Sequence, residues 1–388
     1  MYIYLFEIVS WMCLLIVALP VLYLLLAAIA PLIKRNRFAL HQPAHRIAII
    51  VPAHNEELLI AETVRSAFAL NYPKELLAVL VIADNCSDAT AELARGEGAR
   101  VLERTGNPGK GQGLNDAFNL LLQENWDAFL VLDADSCLHP ETLMEIDRQL
   151  VNGSQAIQIR YGVLNPGESL RTRAMELSTA SYNALRPLGK SALGISAGIN
   201  GNGFCLTRQT IQRVPYLAHS IVEDIEYHIL LLSNGLHVDF LDHVWVKAQM
   251  PVGGKGATVQ RVRWERGRIM MVKTYARPLL KSLLGGNRRA LDGLIDVLMP
   301  PVSLVMLGLL VPLLLGDGFQ RGLALLGLLV MVLHYLVAAV RYGHIGWFFL
   351  LMAYVPWYVF WKTGVVLRSL LTEKNLPWLR TDRHTSKN

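Results

Sequence analysis

Residues 129–136 read Phe-Leu-Val-Leu-Asp-Ala-Asp-Ser, and few arrangements suit that run. Four apolar residues in succession fit a strand buried on both faces. The run then stops at two carboxylates one residue apart. Along an extended chain, residues i and i+2 point the same way, roughly 6.5–7 Å apart. Asp133 and Asp135 are therefore expected to converge at the carboxyl end of the strand, where open α/β sheets bind their ligands. In a dry site the two carboxylates repel each other. A hard divalent cation removes that repulsion and leaves coordination positions for phosphate oxygens. A diphosphate leaving group needs such a cation, because negative charge grows on it as its bond to carbon breaks. A solvated Asp-x-Asp turn is the plainer alternative, and the tripeptide alone does not choose.

Two other apolar runs, residues 47–51 and 76–83, also read as strands. The first ends in Pro52-Ala-His-Asn55-Glu56-Glu and the second in Asp84-Asn-Cys-Ser-Asp88. Helix patterns separate the strands, which predicts a mostly parallel α/β sheet. In a doubly wound sheet such ends share one edge, so Asn55 and Glu56, Asp84, and Asp133 with Asp135 are expected to meet. Residues 106–115 are glycine-rich. They fail the phosphate-loop pattern of NTPases because Gly111, not Ser or Thr, follows Lys110. A flexible turn and a nucleotide-contacting Lys110 remain as alternatives.

The second half repeats the theme of polar groups at rigid starts. Asn200-Gly-Asn202-Gly203-Phe204 is a tight glycine turn. Ser220-Ile-Val-Glu223-Asp224 precedes a helix expected over residues 225–234. Ser220 and Glu223 fit a capping box, and Asp224 favours the positive end of the helix dipole. The same placement is a rigid seat for a catalytic carboxylate. A longer helix is expected over residues 258–284. Gln260, Arg263 and Trp264 fall at i, i+3 and i+4 on one of its faces. Arginine forks onto phosphate and tryptophan supports a sugar ring or a cation. An amphipathic helix lying on a membrane surface accounts for the other face.

Composition places the chain at a membrane. Of 388 residues, 53% are hydrophobic and 18% charged, and the mean hydropathy is +0.33, too apolar for an ordinary soluble protein. Residues 8–33 make one span-length run, kinked at Pro20 and too long for a cleaved signal peptide. Residues 297–315, 322–340 and 345–361 make three more. Lys34, Arg35 and Arg37 after the first run, and Lys273, Arg277, Lys281, Arg288 and Arg289 before the others, put the intervening chain in the cytoplasm. The tail, 372–388, is basic. The net charge of +6 fits anionic lipid and nucleotide phosphates; nucleic acid is not an expected partner, because the arginines cluster beside the spans. Cys13, Cys86, Cys137 and Cys205 are scattered, as unpaired thiols in a reducing compartment are.

Taken in order, Pro52–Glu56, Asp84, Asp133-Ala-Asp135, Glu223-Asp224 and Gln260-Arg-Val-Arg263-Trp264 resemble the motifs of membrane-embedded glycosyltransferases of family 2, and are similar to those of cellulose, chitin, hyaluronan and poly-N-acetylglucosamine synthases. The resemblance covers about residues 47–270 and the flanking spans. It implies a GT-A-like, Rossmann-like cytosolic unit with α-helical transmembrane segments. The chain would divide into an amino-terminal span with its basic flank (1–37), a catalytic unit (47–255), an interfacial helix region (256–290), a carboxyl-terminal membrane region (294–371) and the tail.

The resemblance also implies inverting transfer from a nucleotide-sugar donor, most often a UDP-sugar, with Mg2+ or Mn2+. Pro52, Asn55, Glu56, Asp84, Lys110, Asp133 and Arg263 would bind the donor, Asp84 at the uracil. Asp133 and Asp135 would hold the metal, and Asp224 would be the general base. Asn202, Gly203, Phe204, Gln260 and Trp264 would meet the acceptor, a growing polysaccharide or a lipid-linked saccharide in exopolysaccharide or cell-envelope synthesis. Transfer of a single sugar to a lipid, as ceramide glucosyltransferases perform it, is the nearer alternative. A membrane nucleotide receptor or a transporter subunit is the more distant one, disfavoured by spans almost without charge.

Overall fold

The computed structural model describes residues 2–32, 42–218, 220–252 and 255–371. The basic flank Lys34, Arg35 and Arg37 and the tail 372–388 lie outside the described residues, as do the side chains of Gln260 and Trp264.

Among the described residues, eight strands form one sheet: β1 (Ile47–Ala53), β2 (Leu77–Asp84), β3 (Arg100–Arg104), β4 (Ala128–Val131), β5 (Ser136–Leu138), β6 (Ala156–Val163), β7 (Phe204–Thr207) and β8 (Val238–Ala248). Their order is β3-β2-β1-β4-β7-β6-β8-β5. The first four run parallel. The second half is mixed: β7 lies antiparallel to both β4 and β6, β8 returns parallel to β6, and β5 is antiparallel to β8. The mostly parallel expectation thus holds for the first half of a mixed sheet.

Alternation along the strands feeds two cores. Ile47, Ile49 and Val51 face the helices Ile60–Phe68 and Thr142–Val151. Ala48 and Ile50 face the helices Lys110–Leu121 and Glu223–Ser233. Both faces of β1 and β4 are therefore covered, which is why those strands read as unbroken apolar runs. Phe129, Leu130, Val131 and Leu132 are each completely buried. Sequence order leaves β1 in opposite directions, to β2 on one side and β4 on the other, and at such a switch point a crevice opens beyond the strand ends.

The chain after β4 departs from the extended path expected of it. The strand ends at Val131, and residues 133–136 turn back into β5, with the Ser136 N–H donating to the Asp133 carbonyl at 3.1 Å. The two carboxylates come together on a turn, not along a strand.

Among the described residues, two helices are long and apolar enough to cross a membrane, Tyr4–Leu32 and Gly318–Arg341. The other two apolar runs are bent: Ala290–Leu298 meets Val302–Leu315 at 70°, and Ile345–Met352 meets Val355–Ser369 at 76°. Pro300 and Pro301 occupy the first break, where proline removes backbone donors and disfavours helix in the residue before it. If each bent pair is one span, the helices number four.

The sheet and its helices dock on these apolar helices through close contacts. Tyr342 donates to Asp242 at 2.6 Å, and His344 meets Glu176 at 3.0 Å. Gly189, on the helix Arg186–Ala192, lies directly on the amino-terminal helix: a Cβ there would stand 2.4 Å from Ala27 Cα and 2.5 Å from its carbonyl oxygen. Both are backbone atoms, so no rotamer change relieves the clash. Gly189→Ala is expected to destabilise the protein by about 1–3 kcal/mol through overpacking. A lowered midpoint of thermal unfolding in detergent reads this out; an unchanged midpoint rejects the contact.

Candidate active site

The crevice beyond β1 and β4 opens into a cavity of about 780 Å³. Pro52 near the end of β1 and Glu56 just after it, Lys110 at the start of its helix, Asp133 and Asp135 on the turn, the segment Gly198–Asn202, Asp224, and Arg263 on the helix Lys255–Leu284 all line it. Pro52 and Arg263, 211 positions apart in sequence, meet because the strand ends share this edge and the later helices pack against it.

Lys110 holds the centre. Its Nζ donates to Asp133 Oδ1 at 2.6 Å and to the Gly201 carbonyl at 2.6 Å, and stands 4.0 Å from Glu223 Oε1. Burial would lower its pKa, but Asp133, Glu223 and Asp224 together hold it above the ordinary lysine value. The glycine-rich loop is tied down rather than free. The Gly109 N–H donates to Asp84 Oδ2 at 2.9 Å, and the Gly106 N–H to Asn85 Oδ1 at 3.1 Å.

Asp84 itself does not line the cavity. It is 4% exposed and paired with Arg104, its neighbour in register on β3, at 2.5 Å. Asn55 takes a left-handed conformation, φ 56°, which asparagine tolerates better than most residues, and accepts the Ser87 N–H at 2.8 Å. Asp84 ends β2 and Asn55 follows β1, and neither lines the cavity.

Two networks fix the carboxylates. Asn202 Oδ1 accepts the Asp133 N–H at 3.0 Å, and its Nδ2 donates to Ser136 Oγ at 2.9 Å, which donates in turn to Asp135 Oδ1 at 2.9 Å. Beneath them Gln158, completely buried on β6, donates to the carbonyls of Asn202 and Gly203 at 2.9 and 3.1 Å and accepts the Asn200 N–H at 2.9 Å. Gly203 closes that turn and Phe204 begins β7; Phe204 is fully buried against Tyr216 rather than facing the cavity. A buried glutamine in an apolar strand was the sequence signal for this support, since such a group needs partners for every polar atom.

The expected capping box does not form. The helix begins at Glu223 with Val222 as its cap and no side-chain cap bond, while the Ser220 N–H donates to Glu226 Oε2 at 2.9 Å. Asp224 Oδ1 accepts the Ile225 N–H at 2.9 Å, and its Oδ2 lies 3.2 Å from where a Cβ on Gly201 would be. Burial raises both carboxyl groups, opposed by Lys110; Glu223 is pushed up to about 7. A carboxylate with raised pKa in a cleft suits proton acceptance near neutral pH. Arg263 projects into the same cavity, its Nε without a partner among the described residues, and burial lowers its pKa against the pull of Glu223.

No group of three or more His, Cys, Asp or Glu side chains forms a ready-made metal cage among the described residues. The donor set nonetheless fits a hard cation: Asp133 and Asp135 share one wall, and the Lys110 ammonium already rests on Asp133. Two carboxylates leave the remaining oxygen positions to a phosphate ligand and water. All four cysteines are free thiols.

A family model described as "Glycosyltransferase like family 2" matches residues 43–267. Among curated proteins, the probable glycosyltransferase YdaM of Bacillus subtilis (strain 168) is 27% identical over 247 residues, 61% of this chain. The match covers 58% of that relative's length, so the chain spans little more than half of it. Among solved structures, the mannosyltransferase PcManGT from Pyrobaculum calidifontis, in complex with GDP-Man and Mn2+, superimposes with a TM-score of 0.56 at 17% identity, over 87% of this chain and 98% of that one. At that identity the likeness speaks to the fold, which is GT-A-like.

Proposed function

This chain belongs to glycosyltransferase family 2, and on that premise we propose that it is a membrane-bound inverting hexosyltransferase using a nucleotide-sugar, with UDP-sugars the first donors to test. The acceptor is a saccharide or a lipid-linked saccharide at the membrane surface. One observation carries the reading: Asp133, Asp135, Lys110, Asp224 and Arg263 line one cavity beside helices apolar enough to cross a membrane.

In this reading Asp224 takes the proton of the acceptor hydroxyl as its oxygen attacks the anomeric carbon. Lys110 and Arg263 lie where they would meet the negative charge of the departing nucleoside diphosphate, and preorganised cations in a dry site stabilise such charge strongly. Asp133 and Asp135 would hold Mg2+ or Mn2+, which when bound neutralises diphosphate charge. Pro52, Asn55 and Glu56 shape the donor end, with Asp84 bracing the loop that carries Lys110. Gln260 and Trp264 sit on the same helix as Arg263 and remain acceptor-side proposals. The lysines and arginines flanking the spans support a catalytic unit facing the cytoplasm.

Purified protein in lipid, supplied with UDP- and GDP-sugars and either metal, is expected to release nucleoside diphosphate. Chelation with EDTA is expected to abolish that release, and excess Mn2+ to restore it. Release from no donor on the panel, with lipid extract present as acceptor, would count against the enzyme. Product size then separates a polysaccharide from a single sugar on an organic-soluble lipid.

A further inference from the structure

The membrane end of the cavity is built differently from the donor end. Beyond Gly198 it is lined by Tyr182, Arg186, Arg268 and Ser303, where the sheet's helices meet the apolar bundle. Arg186 opens its helix directly after a π-helical segment, Ala180–Leu185, a distortion that concentrates at functional sites.

Arg186 is 6% exposed, yet its Nε and Nη1 have no acceptor among the described residues. Its Nη2 approaches Asp296 only to 3.8 Å. That carboxylate is already engaged by Lys190 at 2.7 and 2.8 Å and by His228 at 3.2 Å. Asp292, on the same helix as Asp296, accepts the Ser196 N–H at 3.0 Å. The Arg186 guanidinium lies 3.8 Å from the centre of the Tyr182 ring, and that of Arg268 lies 5.8 Å from the same ring. Arg268 donates to the Met299 carbonyl at 2.6 Å and has no carboxylate within ion-pair distance among the described residues. Burial would raise the Tyr182 hydroxyl, but the two arginines pull it below its ordinary value. Positive charge is in excess here, on the residue type whose planar fork matches phosphate oxygens.

We infer that the Arg186–Arg268 end of the cavity binds a phosphate group carried by the acceptor, so that the substrate class is a phosphorylated acceptor rather than a neutral saccharide. This rests on the transfer reading above and deepens it. The arginine end and the proposed base border one short stretch of wall. A Cβ on Gly198 would stand 3.4 Å from Oδ2 of Asp296, the carboxylate that Arg186 approaches, and one on Gly201 3.2 Å from Asp224 Oδ2. The three peptide steps between these glycines reach at most about 10–11 Å. The phosphate itself is unchanged in the reaction. The acceptor hydroxyl oxygen bonds to the anomeric carbon, the bond from that carbon to the diphosphate oxygen breaks, and the hydroxyl proton passes to Asp224. Ser303, Tyr335 and Tyr358 from the apolar helices line this same end, so the phosphate belongs either to a lipid or to a soluble sugar phosphate.

The test uses full-length protein in phosphatidylcholine nanodiscs with saturating nucleoside diphosphate and Mg2+, so that the donor end is filled. Inorganic phosphate is titrated in, or phosphatidic acid is included in the nanodisc, and the thermal midpoint is read. Wild type is expected to be stabilised, and Arg186→Gln to need roughly 10- to 100-fold more phosphate for the same shift, the usual loss for a hydrogen bond to a charged group. Arg186→Lys, which keeps the buried charge, is expected to fall between. A response to phosphatidic acid alone identifies a lipid head group; a response to inorganic phosphate as well identifies a soluble phosphate. If Arg186→Gln does not fold, Arg268→Gln measured the same way decides. No wild-type response to either probe, or equal responses in wild type and the variants, overturns the site. Donor turnover enters nowhere in this readout. Loss of phosphate binding with nucleoside diphosphate release intact therefore rejects only the acceptor site, and phosphate binding without any donor turnover rejects only the transfer reading.

Discussion

Asp224→Asn is expected to lower sugar transfer by about 10²–10⁴-fold, the usual worth of a positioned general base, while nucleoside diphosphate still binds. The substitution keeps the side chain's shape and its bond from the Ile225 N–H, 2.9 Å in the native protein. It removes the capacity to accept a proton, together with the negative charge that Lys110 faces. The helix start is not held by a side-chain cap, so the change does not cost a cap bond, and a loss of activity cannot be traced to a frayed helix. The pH dependence provides a second readout. Burial raises Glu223 and Asp224 together, with Glu223 near 7. Transfer is therefore expected to fall as pH drops through neutrality and the pair takes up a proton. Glu223→Gln removes the member of the pair that is pushed up to about 7; the acid limb is expected to move to lower pH. Transfer and product-release rates measured across pH 5–9 check both. Near-normal turnover by Asp224→Asn at matched expression would remove Asp224 from the role of base.

Much of this site was legible because a parallel sheet has one ligand edge. Once residues 47–51, 76–83 and 129–132 were read as strands buried on both faces, their polar sequels had to lie near one another. Lys110 and Arg263 arrive from helix starts and faces that the 3.6-residue period also specifies. What was not legible depends on pairing between distant strands. Asp84 turns toward Arg104 because β2 and β3 bring them into register, and no local pattern announces that. The turn at Asp133–Ser136 was hidden because an apolar run does not say where its last ladder bond falls. Ser220 and Glu223 had capping-box spacing, but Glu226 draws the Ser220 N–H and the helix opens at Glu223 without a side-chain cap. Arg186 sits in a stretch without a motif. Its significance comes from burial without enough acceptors, which only packing reveals. The break after Leu298 was the reverse case: Pro300-Pro301 stood in the sequence, and hydropathy averaged over it.

Gly203→Ala is expected to produce the largest loss of stability of any single methyl group added near the site. Gly203 has φ +68°, and a Cβ there would stand 2.4 Å from Val246 Cγ1 and 2.7 Å from Ile159 Cγ1. Both neighbours are fully buried, β-branched residues of adjoining strands, so neither swings aside freely. Backbone strain of about 1–3 kcal/mol adds to overpacking of about 1–3 kcal/mol, against a total stability of about 5–15 kcal/mol for a typical domain. The disturbance also has a path to the chemistry. The Gly203 N–H donates to Val131 at 2.9 Å, and its carbonyl accepts from Ile159 at 2.9 Å, while Asn202 beside it holds the Asp133 amide and, through Ser136, the Asp135 carboxylate. Shifting the turn by a few tenths of an ångström therefore moves both proposed metal ligands. Gly201→Ala separates the two effects. Its φ is +72°, but the atoms nearest its Cβ would all belong to the Asp224 side chain, Oδ2 first at 3.2 Å, so it is expected to lose transfer activity with a smaller drop in thermal midpoint. Measured side by side in detergent, with and without nucleoside diphosphate and Mn2+, Gly203→Ala should unfold well below wild type and respond weakly to the metal. A Gly203→Ala protein with the native midpoint and native metal response would mean that this turn does not set the geometry of the carboxylates.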